Sequence, residues 1–177
     1  MKNRVLQEGY SLVELMVVLA ILGIALAIAV PAVRDYFANA RRLTVTNDLV
    51  GDLSYARMEA IRQGQLVTVC GSSDGSSCIA DTDNVWSGGR LVFVDPNGNG
   101  IVDAGEVVLR VERAAPSGFT LIASGFTNRV TFSASGLRAR GSIDGSIRVC
   151  SAGYFGRDIS LGVSGRVDTN KTAAICP

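Results

Sequence analysis

The stretch "DPNGNGIVDAGE", Asp95 to Glu106, sets oxygen-bearing side chains at alternate positions, follows them with a glycine and closes on a glutamate. That is the spacing of a twelve-residue calcium loop. Asp95, Asn97 and Asn99 would offer side-chain oxygens and Gly100 the sharp turn. Ile101 would offer its carbonyl, Asp103 a contact through water and Glu106 a bidentate carboxylate. The flanks "RLVFV" and "VVLRV" read as strands rather than the helices of an EF-hand, so only the loop matches. The competing reading is a hairpin connection built on Asn-Gly turn chemistry, with its acids facing water. Calcium is the only cofactor the sequence points to.

Four cysteines, Cys70, Cys78, Cys150 and Cys176, allow three pairings. Local spacing favours Cys70 with Cys78, across "GSSDGSS", and Cys150 with Cys176, which ties the end of the chain to a strand. Zinc is the alternative, but no C-x-x-C spacing occurs and the chain has no histidine to support it. The same lack removes the commonest general base. Ser133 and Ser135 have neither a histidine nor a clear lysine partner nearby, and the expectation is that the protein is not an enzyme.

The remaining residue with chemistry to explain is Glu14, the only charged side chain between Tyr10 and Val33. The apolar run is long enough to cross a hydrocarbon core of about 30 Å as a helix. A secretory signal peptide is the alternative, since Lys2 and Arg4 precede the run, but the run exceeds a usual h-region and no clear Ala-x-Ala site follows. With the span in the membrane, Lys2 and Arg4 stay cytoplasmic and the rest is exported. An unpaired Asp at the centre of such a helix costs about 2.5–3.5 kcal/mol on insertion scales, and less towards the end, so Glu14 calls for a positive partner. Cleavage after Gly9 would free an amine on Tyr10, one turn before Glu14 and beside the positive end of the helix dipole.

The elements that carry these residues follow from pattern. The chain has 177 residues, 47% hydrophobic and 19% charged, with 17 basic and 16 acidic side chains. That suits one globular domain plus one membrane segment, and bulk charge gives no case for nucleic acid or an acidic partner. Beyond Pro31 apolar residues recur at three-and-four spacing through Val33, Tyr36, Phe37, Ala40, Leu43, Val50, Leu53, Ala60 and Ile61. Arg34, Asp35, Arg41, Arg42, Asp48, Asp52 and Glu59 take other faces. An amphipathic helix to Gln63, stopped by Gly64, is predicted, with Pro31 kinking rather than ending it. "QLVTVC", "RLVFVD", "EVVLRVE", "FTLIAS", "NRVTFS", "SIRVCS" and "DISLGVS" read as short strands. The organisation is therefore α+β: a short charged segment at 1–9, a membrane helix at 10–31, an amphipathic stem at 32–63 and a β-rich antiparallel head at 64–177.

"EGYSLVELMVVLAILGIALAIAVP" resembles the class III signal of type IV pilins and type II secretion pseudopilins: a charged leader, a Gly, a bulky residue and an acid at the fifth position after the cut. The order of a long helix, then strands, then two cysteine pairs, with "FSASG", "IRVC" and "ISLGVSGRV", resembles the GspH/FimT-like branch of minor pilins. The resemblance implies that a prepilin peptidase cleaves after Gly9 and methylates Tyr10, which stands where most members have Phe. It implies that Glu14 neutralises the terminal amine of an adjacent subunit, and that Pro31 is the family's kinking proline. The expected function is that of a minor pilin. It would sit in the inner membrane with a periplasmic head and join other minor pilins and the major pilin, through an inner-membrane assembly platform, to prime or cap a type IV pilus. Two alternatives stand. One is a minor pseudopilin of type II secretion. The other is a DNA-uptake minor pilin, a subgroup marked by Gly-Arg-x-Arg; here "GRVD" keeps Arg166 but has Asp168 in place of the second arginine. Arg138, Arg140, Arg148, Arg157, Arg166 and Lys171 are the cluster that would meet phosphates.

Overall fold

The computed structural model describes residues 11–80, 82–126, 128–139 and 144–176, leaving aside the side chains of 31, 32, 173 and 174. One helix, α1, runs from Leu12 to Gln63, uninterrupted at Pro31. It ends where the chain meets Gly64, whose φ of 66° lies in the left-handed region that glycine enters without a Cβ penalty. The chain divides into two compact units, Met1–Arg41 and Arg42–Pro177.

In the first unit the apolar side chains of α1, Leu12 through Ile28 and on to Tyr36 and Phe37, are exposed. This is the segment whose length and composition suffice to cross a membrane.

In the second unit the rest of α1 packs on two antiparallel four-stranded sheets. The strands are β1 (Val67–Gly71), β2 (Arg90–Val94), β3 (Val108–Glu112), β4 (Phe119–Ser124), β5 (Arg129–Phe132), β6 (Gly145–Ser151), β7 (Phe155–Leu161) and β8 (Val167–Ile175). One sheet has the order β3-β2-β1-β5 and the other β4-β6-β7-β8. In the first, β1 and β2 are buried along their whole length. Their mostly apolar runs, broken by Thr68 and Arg90, are explained by burial on both faces: Val67, Val69 and Val92 face the main core, while Cys70, Leu91 and Phe93 form a second small cluster with Cys78 and Val102. The second sheet covers one face only, so β4 alternates, burying Leu121 and Ala123 and exposing Thr120, Ile122 and Ser124.

The main core joins Val45, Leu49, Leu53, Ala56 and Ala60 of α1 to Phe132, Leu121, Ile147, Val149, Ile159 and Leu161 of the sheets, with Trp86 inserted from the β1–β2 connection. The packed helix face thus differs from the one the periodicity indicates. Leu49 is fully buried, Leu43 and Ile61 are exposed, and Asp52, expected on another face, lies inside. Two further differences concern strands. The last predicted strand, "DISLGVS", is shifted: β7 begins at Phe155 and ends at Leu161. The strand β8 was not foreseen at all. Its "VDTNKTAAI" lacks apolar alternation because it is an edge strand with mostly exposed side chains, held by pairing to β7 from Leu161↔Val167 to Phe155↔Ile175.

Candidate functional site

Glu14 lies in the first turn of α1, on an exposed helix surface that is otherwise apolar. Ser11 caps that turn, its carbonyl accepting the Leu15 N–H at 3.2 Å. Among the described residues the Glu14 carboxylate has no hydrogen-bond or ion-pair partner. Gly9 and Tyr10, the expected processing residues, lie outside the described residues.

The cysteines form the two local pairs, Cys70–Cys78 and Cys150–Cys176. The first closes a loop organised from within by Asp74, which accepts the Ser76 and Ser77 N–H groups, each at 2.8 Å, and the Ser77 hydroxyl at 2.6 Å. These bonds, the hydroxyl foremost, hold the Asp74 carboxyl far below the usual carboxylate range. The second bridge joins β6 to the residue after β8 and crosses the intervening strand β7. It passes over Gly156, where a Cβ would lie 3.0 Å from the Cys176 sulfur.

The loop between β2 and β3 holds the expected calcium ligands in three places. Asp95 is fully buried; its Oδ2 accepts the Thr68 hydroxyl at 2.7 Å and the Gly100 N–H at 3.0 Å. At the rim, Asn97 and Asn99 each donate an amide N–H to Asp103 Oδ2 at 2.8 Å, which holds the Asp103 carboxyl below its ordinary range. Glu106 accepts the Asp103 N–H at 3.0 Å, and Ile101 donates its own N–H to Asn99 Oδ1. Among the described residues no three acidic, cysteine or histidine side chains are close enough together to hold a metal, so Asp95, Asp103 and Glu106 do not converge in this conformation.

Among the described residues the C-terminal arginines do not form one open cluster. Arg138 is only 6% exposed; it donates to the Leu161 carbonyl at 3.3 Å and lies over the Phe126 ring. Burial pushes its pKa down. Its expected role as a phosphate contact is corrected, because a buried guanidinium cannot reach a duplex. Arg148 makes a two-point pair with Asp158 at 2.7 and 3.0 Å, and Arg166 pairs with Asp168 at 2.9 Å, the very acid that interrupts the Gly-Arg-x-Arg pattern. Lys171 sits over the Phe155 ring, and Arg157 faces it across the β7–β8 ladder. Arg140 lies outside the described residues.

One charged constellation escaped the sequence reading. Asp52 of α1 accepts from Arg90 of β2 at 2.7 Å and from Arg110 of β3 at 3.2 Å, and Arg110 stacks on the Tyr55 ring one turn further along the helix. The Asp52 and Arg90 side chains are 1% and 5% exposed, which makes this a buried pair, whereas Arg110 is 38% exposed. A sequence separation of 38 residues hides the pair from any local pattern. The available signal is one arginine opening the otherwise apolar strand "RLVFV".

A long N-terminal helix packed on antiparallel sheets, with an apolar first half and two disulfides, defines a protein of the type IV pilin class. Residues 4–30 match the prokaryotic N-terminal methylation motif. Residues 45–167 match the family model described as type II transport protein GspH, and the chain belongs to that family. It is similar to a fimbrial protein of Dichelobacter nodosus, 32% identical over 102 residues, covering 52% of this chain and 63% of that one. A fimbrial protein of Pseudomonas aeruginosa is 34% identical over 101 residues, covering 55% and 65%. The chain thus spans less than two thirds of the length of these relatives. Among solved structures, the type IV minor pilin FimU of Pseudomonas aeruginosa shares the fold, with a TM-score of 0.59 at 18% identity over 78% of this chain and 98% of that one.

Proposed function

We propose that this protein is a minor pilin, cleaved after Gly9 and held in the inner membrane by 10–31, which joins other minor pilins and the major pilin to prime or cap a type IV pilus. It is a structural subunit without a catalytic role. The observation that carries the reading is Glu14: a lone carboxylate in the first turn of an apolar helix, with no partner among the described residues. A charge left so in hydrocarbon costs about 2.5–3.5 kcal/mol at the centre of a span and less near its end. A neighbouring subunit's Tyr10 amine would neutralise it, so the pairing drives assembly and fixes the axial offset between helices.

The test is Glu14→Ala expressed in native cells. The membrane level should stay unchanged while recovery in sheared pili falls at least severalfold, and the mature wild-type protein should begin at a methylated Tyr10. Normal recovery of the variant, or a mature chain beginning elsewhere, would defeat the reading. A second reading, a minor pseudopilin, is favoured by the family description itself. Crosslinking in intact envelopes separates the two, since capture of secretion pseudopilins in place of pilins selects the second.

A further inference from the structure

We propose that the Asp95–Glu106 loop is a calcium site of the head, independent of which filament the protein enters. Two observations of different kinds carry it. The first is the spacing: Asp95, Asn97, Asn99, Gly100, Asp103 and Glu106 stand at positions 1, 3, 5, 6, 9 and 12 of the loop. The second is the state of Asp95. Its side chain is fully buried and its Oδ2 is satisfied twice, but Oδ1 has no hydrogen-bond partner among the described residues. Burying a carboxylate oxygen without a donor is costly, and a cation is the ligand that removes the cost.

The bond between Asp95 Oδ2 and the Gly100 N–H ties the first and sixth positions of the loop together. Gly100 has φ of 71°, and a Cβ there would run into the Arg129 side chain, so the turn is fixed by backbone geometry and packing before any ion arrives. Asn97 and Asn99 already meet at Asp103, and a half turn of each carboxamide exchanges N–H for carbonyl oxygen at the cost of the bonds that their Oδ1 atoms now accept from the Asn99 and Ile101 N–H groups. Glu106 closes the site by leaving the Asp103 N–H. Asp95, Asp103 and Glu106 thus stand apart in this conformation, and binding would draw them together. Flexible oxygen ligands suit calcium; magnesium demands a tighter octahedron and gives up its water reluctantly. With asparagine at two ligand positions, only three carboxylates contribute charge, which places the affinity in the weak range of extracellular modules, about 10⁻⁴–10⁻³ M.

The test is calorimetric titration of the full chain in detergent with calcium chloride after chelator treatment, with magnesium chloride as control, alongside thermal unfolding. One saturable site and a calcium-specific rise in the unfolding midpoint are expected. Glu106→Gln should weaken binding at least about tenfold while leaving the ion-free midpoint unchanged. Asp103→Asn, also at the rim, gives the decision a second variant, since Asp95→Asn risks the fold through Thr68. Absence of heat and of any shift at about 10 mM calcium, an equal response to magnesium, or unaltered binding in both rim variants would overturn the proposal.

Discussion

Replacing Asp52 with alanine leaves the Arg90 guanidinium, 5% exposed, without its carboxylate inside the head. Removing one partner of a buried pair costs about 3–5 kcal/mol, because the surviving charge keeps its desolvation penalty and loses its compensation. Domains of this size are stable by only about 5–15 kcal/mol, so the loss is a large fraction of the total. At about 2–4 °C per kcal/mol, the unfolding midpoint should fall by about 6–20 °C. Arg110→Ala should behave differently. Its side chain is 38% exposed and its contact is longer, so the expected cost is about 1 kcal/mol, shared between a half-solvated ion pair and the stack on Tyr55. Urea unfolding of the full chain in detergent, followed by Trp86 fluorescence, measures both. The double variant Asp52→Leu with Arg90→Met removes both charges and should regain most of the stability lost by Asp52→Ala. A loss below about 1 kcal/mol for Asp52→Ala, or equal losses for Arg90→Ala and Arg110→Ala, would refute the reasoning that burial sets the magnitude.

Gly165→Ala should destabilise the head through its φ of 70° and through a Cβ placed against the Gly136 carbonyl oxygen. The dihedral alone costs about 1–2 kcal/mol, and the same urea assay reads the total. Asp74 gives a pH signature. Its folded pKa lies below the unfolded value near 3.8, so its contribution is present above that pH and is lost only as pH falls through the lower folded value. The Ser76 and Ser77 amide resonances should therefore titrate with a midpoint well below 3.8; a midpoint at the ordinary value would contradict the bonds that Ser72, Ser76 and Ser77 donate to that carboxylate.

Signals that act over a few residues were legible in the sequence. Gly64 marked the end of α1 because only a residue without Cβ enters the left-handed region freely, and the short Cys70–Cys78 spacing favoured the pairing found. Seven of the eight strands were visible as β-branched runs between turn residues, since those strands each bury at least one face or part of one. The eighth is held by the backbone ladder to β7 and by a terminal bridge, neither of which leaves a side-chain pattern. The helix face was misjudged for a related reason. Periodicity scores Asp52 as outward because it is charged, whereas Arg90 on a distant strand makes its burial possible. Arg138 erred in the same sense: a guanidinium counted as surface charge is buried, with one donor on the Leu161 carbonyl and its flat face over Phe126. In the Asp95 loop the order of oxygen-bearing side chains is explicit, while the hydrogen bonds that Asn97 and Asn99 donate to Asp103 leave no such pattern.

The Cys150–Cys176 bridge skips a strand, and this changes how the head bears load. Tension applied at the far end of β8 would ordinarily peel that edge away from β7 one hydrogen bond at a time, which needs little force. Here a pull at that end passes through sulfur to β6, the strand that β4 and β7 flank, and so bypasses the β7–β8 ladder. The absence of a side chain at Gly156 lets the covalent strap lie close over β7.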